Sequence, residues 1–387
     1  MQKSTANITK ARGMYLCYYL ALGSFLPYIN LYYERIGLTG VQIGSLAAIP
    51  LVVFSSTSLL WGTLSDAFRL HSRILSLALL LSPIAVLMLS RTDQYTGLAR
   101  FILIYALFSS PIVPLLDSLA LEVAKLHQST FGGLRVWGSI GWSVSTWLVG
   151  TFIERFDMRV FFYCYAAFMA LAFLFSLFQP ARGHLSRSSQ RFPFRRFLRK
   201  DLLIFLTSVF LLATTTSAVN AFFSIYMDGI GAREGSIGLA WALAAVTEIP
   251  VMIFSGEIMR RIGAGGLLKV AFLVYALRWL LLSFIQHPVL ALSMQLLHGI
   301  SFAPFLIGGV IYIHNRVPED LGATAQAAFN TVTFGMGSIS GALLGGFLYD
   351  LVGMAILFRV LCVVALAGLA LFWLGNLPRS NIPLINP

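Results

Sequence analysis

Charge is what this sequence has least of: 11% of its 387 residues are Asp, Glu, Lys or Arg, where a soluble domain carries about 25%. A water-facing globule needs a polar surface, so the shortage excludes one. Acidic residues are scarcest, 15 against 27 basic ones. The basic residues stand in short clusters between apolar runs rather than in one basic domain, which speaks for a lipid surface and against nucleic acid as partner. Cysteine is rare too. Cys17, Cys164 and Cys362 lie inside apolar runs, too far apart for a metal site, and read as small buried hydrophobes. No His-rich box, Asp-rich repeat or nucleophile elbow occurs, so an integral-membrane enzyme has no catalytic cluster, and no metal or organic cofactor is expected. The N-terminal stretch lacks a small-residue cleavage site, and its apolar run continues to about Tyr33. It reads as a first membrane span rather than a secretory leader.

What the chain does have is apolar length: 58% hydrophobic residues and a mean hydropathy of +0.82. A helix crosses a bilayer with roughly 20 apolar residues. Twelve such segments are expected, at about 13–33, 41–65, 72–90, 98–121, 134–154, 158–179, 201–226, 235–259, 266–286, 288–313, 325–350 and 353–375. They are too long and too unalternating for barrel strands. Lys3, Lys10, Arg12, Arg69, Arg73, Lys125, Arg260, Arg261, Lys269, Arg316, Arg379 and the cluster between Arg182 and Lys200 fall on one side of this arrangement. The other side holds fewer: Arg35, Arg91, Arg100, Arg155, Arg159, Arg233 and Arg359. The bias puts both termini in the cytoplasm. The compact chain and short loops suggest a bacterial inner membrane.

The chain divides in two. Residues 1–179 and 201–387 would each form a six-helix bundle, joined by a basic cytoplasmic linker at 180–200, PARGHLSRSSQRFPFRRFLRK. Ile36-Gly-Leu-Thr-Gly-Val-Gln-Ile-Gly44 pairs with Ile230-Gly-Ala-Arg-Glu-Gly-Ser-Ile-Gly238. At the same offset Tyr32 meets Tyr226, Glu34 meets Asp228 and Gly62 meets Gly256. A six-span repeat implies two pseudo-symmetric bundles with a binding cavity between them near the midplane. The turn after span two, Gly62-Thr-Leu-Ser-Asp-Ala-Phe-Arg-Leu-His-Ser-Arg73, resembles the cytoplasmic loop signature of the major facilitator superfamily, roughly G-x-L-x-D-R-x-G-R-R. Gly62 allows close helix packing, Asp66 caps or pairs across the loop, and Arg69 and Arg73 stay on the cytoplasmic face. Gly256-Glu-Ile-Met-Arg-Arg-Ile-Gly263 looks like a weaker second copy. The resemblance implies an all-α integral membrane protein of the major facilitator fold, with twelve helices in two pseudo-symmetric bundles.

Five ionisable groups are candidates for intramembrane positions: Asp117, Arg135, Glu248, Arg278 and His298. Such groups are costly and usually face a cavity or a partner. Trp142 follows Arg135 by two helical turns on the same face. A carboxylate, a guanidinium and an indole can grip a polar ring-shaped solute; a structural ion pair is the plainer alternative. The spacing of Asp117, Arg135 and Trp142 resembles that of the sugar-binding residues in the lactose permease family of sugar–proton symporters, with Asp in place of Glu. Anchored on Arg261-Ile-Gly263, Arg278 and His298 fall where that family has an arginine on span nine and a histidine on span ten. Two features depart from it. Ser301 stands where the family carries its proton-bearing Glu, and Glu248 is displaced by one turn. Glu248 is then the second-half carboxylate that remains for proton coupling, with Arg278 and His298 beside it. The segments TEIPVMIFSG and LLHG also look like the phenylpropionate permease branch and related nucleoside–proton symporters. Tyr19, Tyr28, Asn30, Asn220 and Phe223 are candidate cavity residues for either kind of solute. Span five lacks the Gly-Pro motif of many drug–proton antiporters of the superfamily, which argues for uptake. The expectation is a monomeric, proton-coupled symporter of a small organic solute (a sugar, nucleoside or aromatic acid), driven by a proton gradient and working by alternating access. A uniporter or exporter of the same fold is the alternative. A non-transporting receptor or scaffold would have no need of the intramembrane charges.

Overall fold

A computed structural model describes residues 2–68, 70–126, 130–177, 199–318 and 321–375. Arg69 and nearly all of the 180–200 linker lie outside the described residues, as does the side chain of Asp66. Among the described residues the chain is helical throughout, with no strand. In the first half run α1 (Gln2–Arg35), α2 (Gly40–Phe68), α3 (His71–Leu89), α4 (Tyr95–Ser109), α5 (Ile112–Leu126), α6 (Phe131–Arg155) and α7 (Val160–Leu177). In the second run α8 (Lys200–Gly229), α9 (Glu234–Leu282), α10 (Pro288–Ser293), α11 (His298–His314), α12 (Gly322–Asn330) and α13 (Ser338–Gly375). A helix satisfies every backbone group within its own segment, which is what a chain this apolar requires in hydrocarbon. Among the described residues, eight stretches are long and apolar enough to cross a membrane. Two of them are double. Gly263 (φ 67°) breaks α9 and Gly353 (φ 73°) breaks α13, because only glycine enters that region without a Cβ penalty. Each long helix is therefore two helices joined at a kink.

The internal repeat survives in backbone geometry. At the end of α1, Gly37 has φ 88°, and at the end of α8 its counterpart Gly231 has φ 84°. Gly37 N–H donates to Glu34 O at 2.9 Å and Leu38 N–H to Tyr33 O at 3.1 Å; Gly231 N–H donates to Asp228 O at 2.8 Å and Ala232 N–H to Met227 O at 2.9 Å. Both helices thus end in the same Schellman motif, which needs glycine at the left-handed residue and satisfies the last carbonyls. The matching Ile-Gly pairs in the sequence encode this stop.

Among the described residues, the hydrogen bonds and ion pairs that join the two halves lie toward the end marked by Arg35. Arg35 reaches Asp228 at 2.5 Å and Glu234 at 2.7 Å. Asp350, on α13, accepts from Gly40 N–H at 2.6 Å and Val41 N–H at 2.8 Å at the start of α2. Glu154, on α6, accepts from Gly235 N–H at 2.7 Å at the start of α9. Each half therefore supplies a carboxylate to the N-terminus of a helix in the other, where unpaired N–H groups and the helix dipole favour negative charge. Glycine lets the backbones approach. A Cβ on Gly238 would meet Thr146 O and Tyr28 Oη, and one on Gly346 would meet Gly40 O. Replacing Gly238 by Leu is therefore expected to cost about 1–3 kcal/mol by overpacking and to raise backbone hydrogen exchange around Thr146. Gly132→Leu, where an added Cβ meets nothing within 4 Å, is the control that leaves both unchanged.

Candidate functional site

Between the halves lies a cavity of about 470 Å³. The first half lines it from α1, α2, α4 and α6, and the second from α8, α9, α11 and the segment before α13. Aromatic rings make much of the wall. Trp142 from α6 meets Trp241 from α9 edge to face across the interface, with ring centroids 6.5 Å apart and planes at 79°. Phe223 stands edge-on to Trp241 at 5.7 Å, and Ser224 Oγ holds the Trp241 indole N–H at 3.0 Å. Rings packed in this way offer flat apolar faces at little entropic cost.

Set into this wall is a polar chain of four links. Arg278, 2% exposed, donates from Nη1 to Ser301 Oγ at 2.9 Å and from Nη2 to Gln295 Oε1 at 3.0 Å. Nη1 also lies 3.2 Å from His298 Nδ1, and His298 Nε2 lies 3.2 Å from Glu248 Oε1. A guanidinium donates only, so Nδ1 of His298 must be its acceptor. The remaining ring proton then sits on Nε2 and points at Glu248. In this arrangement His298 is a neutral bridge between cation and carboxylate; a second proton on Nδ1 would oppose the Arg278 N–H. The guanidinium also packs on Trp279, 5.1 Å from the ring centroid. Its Nε–H is buried without an acceptor among the described residues, as are the hydroxyls of Tyr33 and Thr333, and all three residues line the cavity.

Local backbone explains why these groups meet. Gly299 lets α11 press against α9, where a Cβ would collide with Thr247 O, and this brings His298 beside Glu248. Residues Met294–Leu297 form a tight 3-10 turn before α11, which turns Gln295 toward Arg278 along with His298 and Ser301. Thr331–Gly337, between α12 and α13, is a π-helical stretch, and π stretches tend to occur at functional sites. It contributes Thr333 and Phe334 to the cavity wall.

Of the residues expected from sequence, the cavity gathers Trp142, Asn30, Asn220, Phe223, Glu248, Arg278 and His298. Asn30 is anchored by its Nδ2 on Ala221 O at 2.9 Å. Others lie elsewhere. Asp117 accepts from Tyr15 Oη at 2.5 Å. Arg135 is exposed, its guanidinium 5.9 Å from the Phe131 centroid, and neither it nor Asp117 is in the cavity lining. Tyr28 is fully buried in the seal between the halves, donating to Thr146 O. Tyr19 packs against Gly138 of α6. Arg73, at the start of α3, is exposed. Gln295 bonds Arg278, and Glu248 reaches Arg278 through His298. Trp241 was not among the expected site residues, although it stands two turns before Glu248 on the same helix face, a legible signal. Tyr33 and Thr333 carried no such signal.

A helical, multi-pass chain whose two repeated halves enclose a cavity with buried charge has the architecture of a membrane solute transporter. The comparisons with known proteins agree. The sequence profile of the MFS_1-like family matches residues 8–360, and the chain belongs to that family; it is a transporter of the major facilitator superfamily and not an enzyme. Over 362 residues it is 29% identical to the probable 3-phenylpropionic acid transporter of Escherichia coli, covering 92% of this chain and 95% of that one. Over 365 residues it is 28% identical to the maltose permease of Geobacillus stearothermophilus, covering 90% of each. The fold superposes on a crystal structure of a variant of the nucleoside transporter NupG with a TM-score of 0.87 at 18% identity, covering 96% of this chain and 100% of that one.

The polar chain predicts a stability effect. Gln295→Leu leaves a buried guanidinium N–H unpaired and is expected to cost about 2 kcal/mol, read as a lowered melting temperature of the detergent-solubilised protein. Gln295→Glu, which keeps an acceptor, is expected to lose less.

Proposed function

We propose that this protein is a proton-coupled symporter of a small organic solute, working by alternating access across twelve membrane passes. Residues 1–179 and 201–387 are its two moving bundles, and the 180–200 linker and both termini are cytoplasmic in a cell inner membrane, as the distribution of Lys and Arg suggests. With that orientation the Arg35 end is external, so the structure corresponds to a state sealed toward the outside. The observation that carries the reading is Glu248 lying 3.2 Å from His298 in the cavity between the halves. A carboxylate at a moving interface has two environments, and that is the minimum requirement for taking a proton on one side and releasing it on the other. The proton gradient supplies the energy and no cofactor is needed. The names of the relatives span maltose, 3-phenylpropionic acid and nucleosides, and the aromatic cavity with Asn30 and Asn220 suits a ring-bearing solute of that size. The cytoplasmic turn of Gly62, Asp66, Arg69 and Arg73 is assigned to the pairing of the bundles on the inner side.

The test is uptake into proteoliposomes, after a thermal-shift panel of sugars, nucleosides and aromatic acids has found a ligand. Wild type is expected to concentrate the solute only with an inward pH gradient. Glu248→Gln is expected to abolish accumulation while solute exchange persists within about tenfold of wild type. Accumulation by the Gln variant would remove Glu248 from the coupling role, and uptake that ignores the gradient would make the protein a uniporter.

A further inference from the structure

Arg278 is an intramembrane cation at 2% exposure, and a charge so placed needs a counter-ion. Among the described residues lining the cavity, the charged side chains are Arg278 and Glu248, both from α9, and the one imidazole is His298 from α11. Tyr33, Tyr105 and Tyr275, from α1, α4 and α9, face the same space as phenols, and Asn30 and Asn220 as neutral amides. The cavity is thus balanced only while Glu248 is ionised. Protonating Glu248 leaves one buried positive charge. A proton placed on His298 instead would sit on Nδ1, against the Arg278 N–H, and would leave the same unbalanced positive charge. Arg278 meanwhile keeps one buried donor, Nε–H, without an acceptor among the described residues.

From these contacts we infer that the solute is a monocarboxylate, whose carboxylate replaces ionised Glu248 as the counter-ion of Arg278, so that one proton and one monoanion enter together without net charge. The inference rests on the symport reading and narrows it. The loaded cavity holds Arg278 positive, Glu248 protonated and the solute negative; the empty cavity holds Arg278 positive and Glu248 negative. Both are neutral, and both can be re-sealed at low cost. A cavity with the proton alone or the anion alone carries unbalanced charge, which resists closure. The aromatic wall around Trp142 and Trp241 selects an aryl or other flat apolar body behind the carboxylate.

The experiment compares an arylalkyl carboxylate with its own primary amide, a neutral near-isostere. Binding is followed by the tryptophan fluorescence of the purified protein, since Trp142, Trp241 and Trp279 line the cavity. For wild type the carboxylate is expected to bind at least 30-fold more tightly than the amide at low pH. Its affinity should fall toward alkaline pH, approaching about tenfold per pH unit, as one linked proton requires. In Glu248→Gln the carboxylate should bind with the low-pH affinity at every pH. In Arg278→Gln it should bind no better than the amide. In vesicles, carboxylate uptake by wild type should be unaffected by an imposed potassium diffusion potential. Equal binding of acid and amide, pH-flat binding by wild type, or uptake driven by the potential each overturns the inference, and all three are read on wild type, so an unstable variant does not block the test. Accumulation of a sugar or nucleoside with no binding of carboxylates overturns this inference and leaves the symport reading standing. Failure of the folded, reconstituted protein to concentrate any solute under a pH gradient removes both.

Discussion

A guanidinium buried in a membrane-spanning bundle sets the terms for the rest of this structure. Arg278 cannot be left unpaired in a low-dielectric interior, where a lone charge costs several kcal/mol. Its needs account for a series of otherwise unrelated features. The 3-10 turn at Met294–Leu297 aims Gln295 at it. Ser301 accepts from it through a short, neutral hydroxyl. Gly299 brings α11 against α9 so that His298 bridges to Glu248. Trp279 and Tyr275 lay ring faces near the cation. Each is a local irregularity or substitution, and together they form one hydrogen-bonded chain whose charge balance depends on Glu248.

That dependence links the site to motion. The cavity lies between two halves whose ion pairs and helix-capping carboxylates, among the described residues, lie at the Arg35 end. The seal there combines glycine-mediated backbone contact with carboxylates capping helices across the interface. Such a seal is sharp in geometry and concentrated at one end of the cavity, so it can open as a unit. Changes in charge at the cavity and changes in packing at the seal act on the same rigid-body equilibrium.

Much of this was legible in the sequence, for a physical reason. Ionisable residues in apolar runs are so costly that each one announces itself, and Glu248, Arg278 and His298 did converge. The repeat was legible because the Ile-Gly pairs encode a backbone conformation that only glycine adopts, and Gly37 and Gly231 show it at the same place in each half. Asp117 and Arg135 were as visible as the others, yet they lie outside the cavity lining. Helical spacing fixes which face a residue occupies but not how deep along the axis the cavity reaches. Tyr15, an ordinary aromatic in sequence, takes up Asp117. Tyr33 and Thr333 were silent because a tyrosine or threonine in a span is unremarked until a fold places it, and a π stretch such as Thr331–Gly337 has no local sequence signature to read.

The seal at the Arg35 end carries a consequence for how such a chain can change over time. Asp350 and Glu154 do not recognise side chains; they recognise the free N–H groups at the start of a helix. Gly40 and Gly235 leave room for that approach, since a Cβ on Gly40 would meet Asp350 Oδ1 and one on Gly235 would meet Glu154 Oε1, while Val41 serves through its main-chain N–H whatever its side chain. Matching two side chains would have tied both halves to a fixed pair of residues. Addressing the main chain instead frees the helices to diverge, so a two-fold relation can persist as a mechanical join after most of it has faded from the amino-acid sequence.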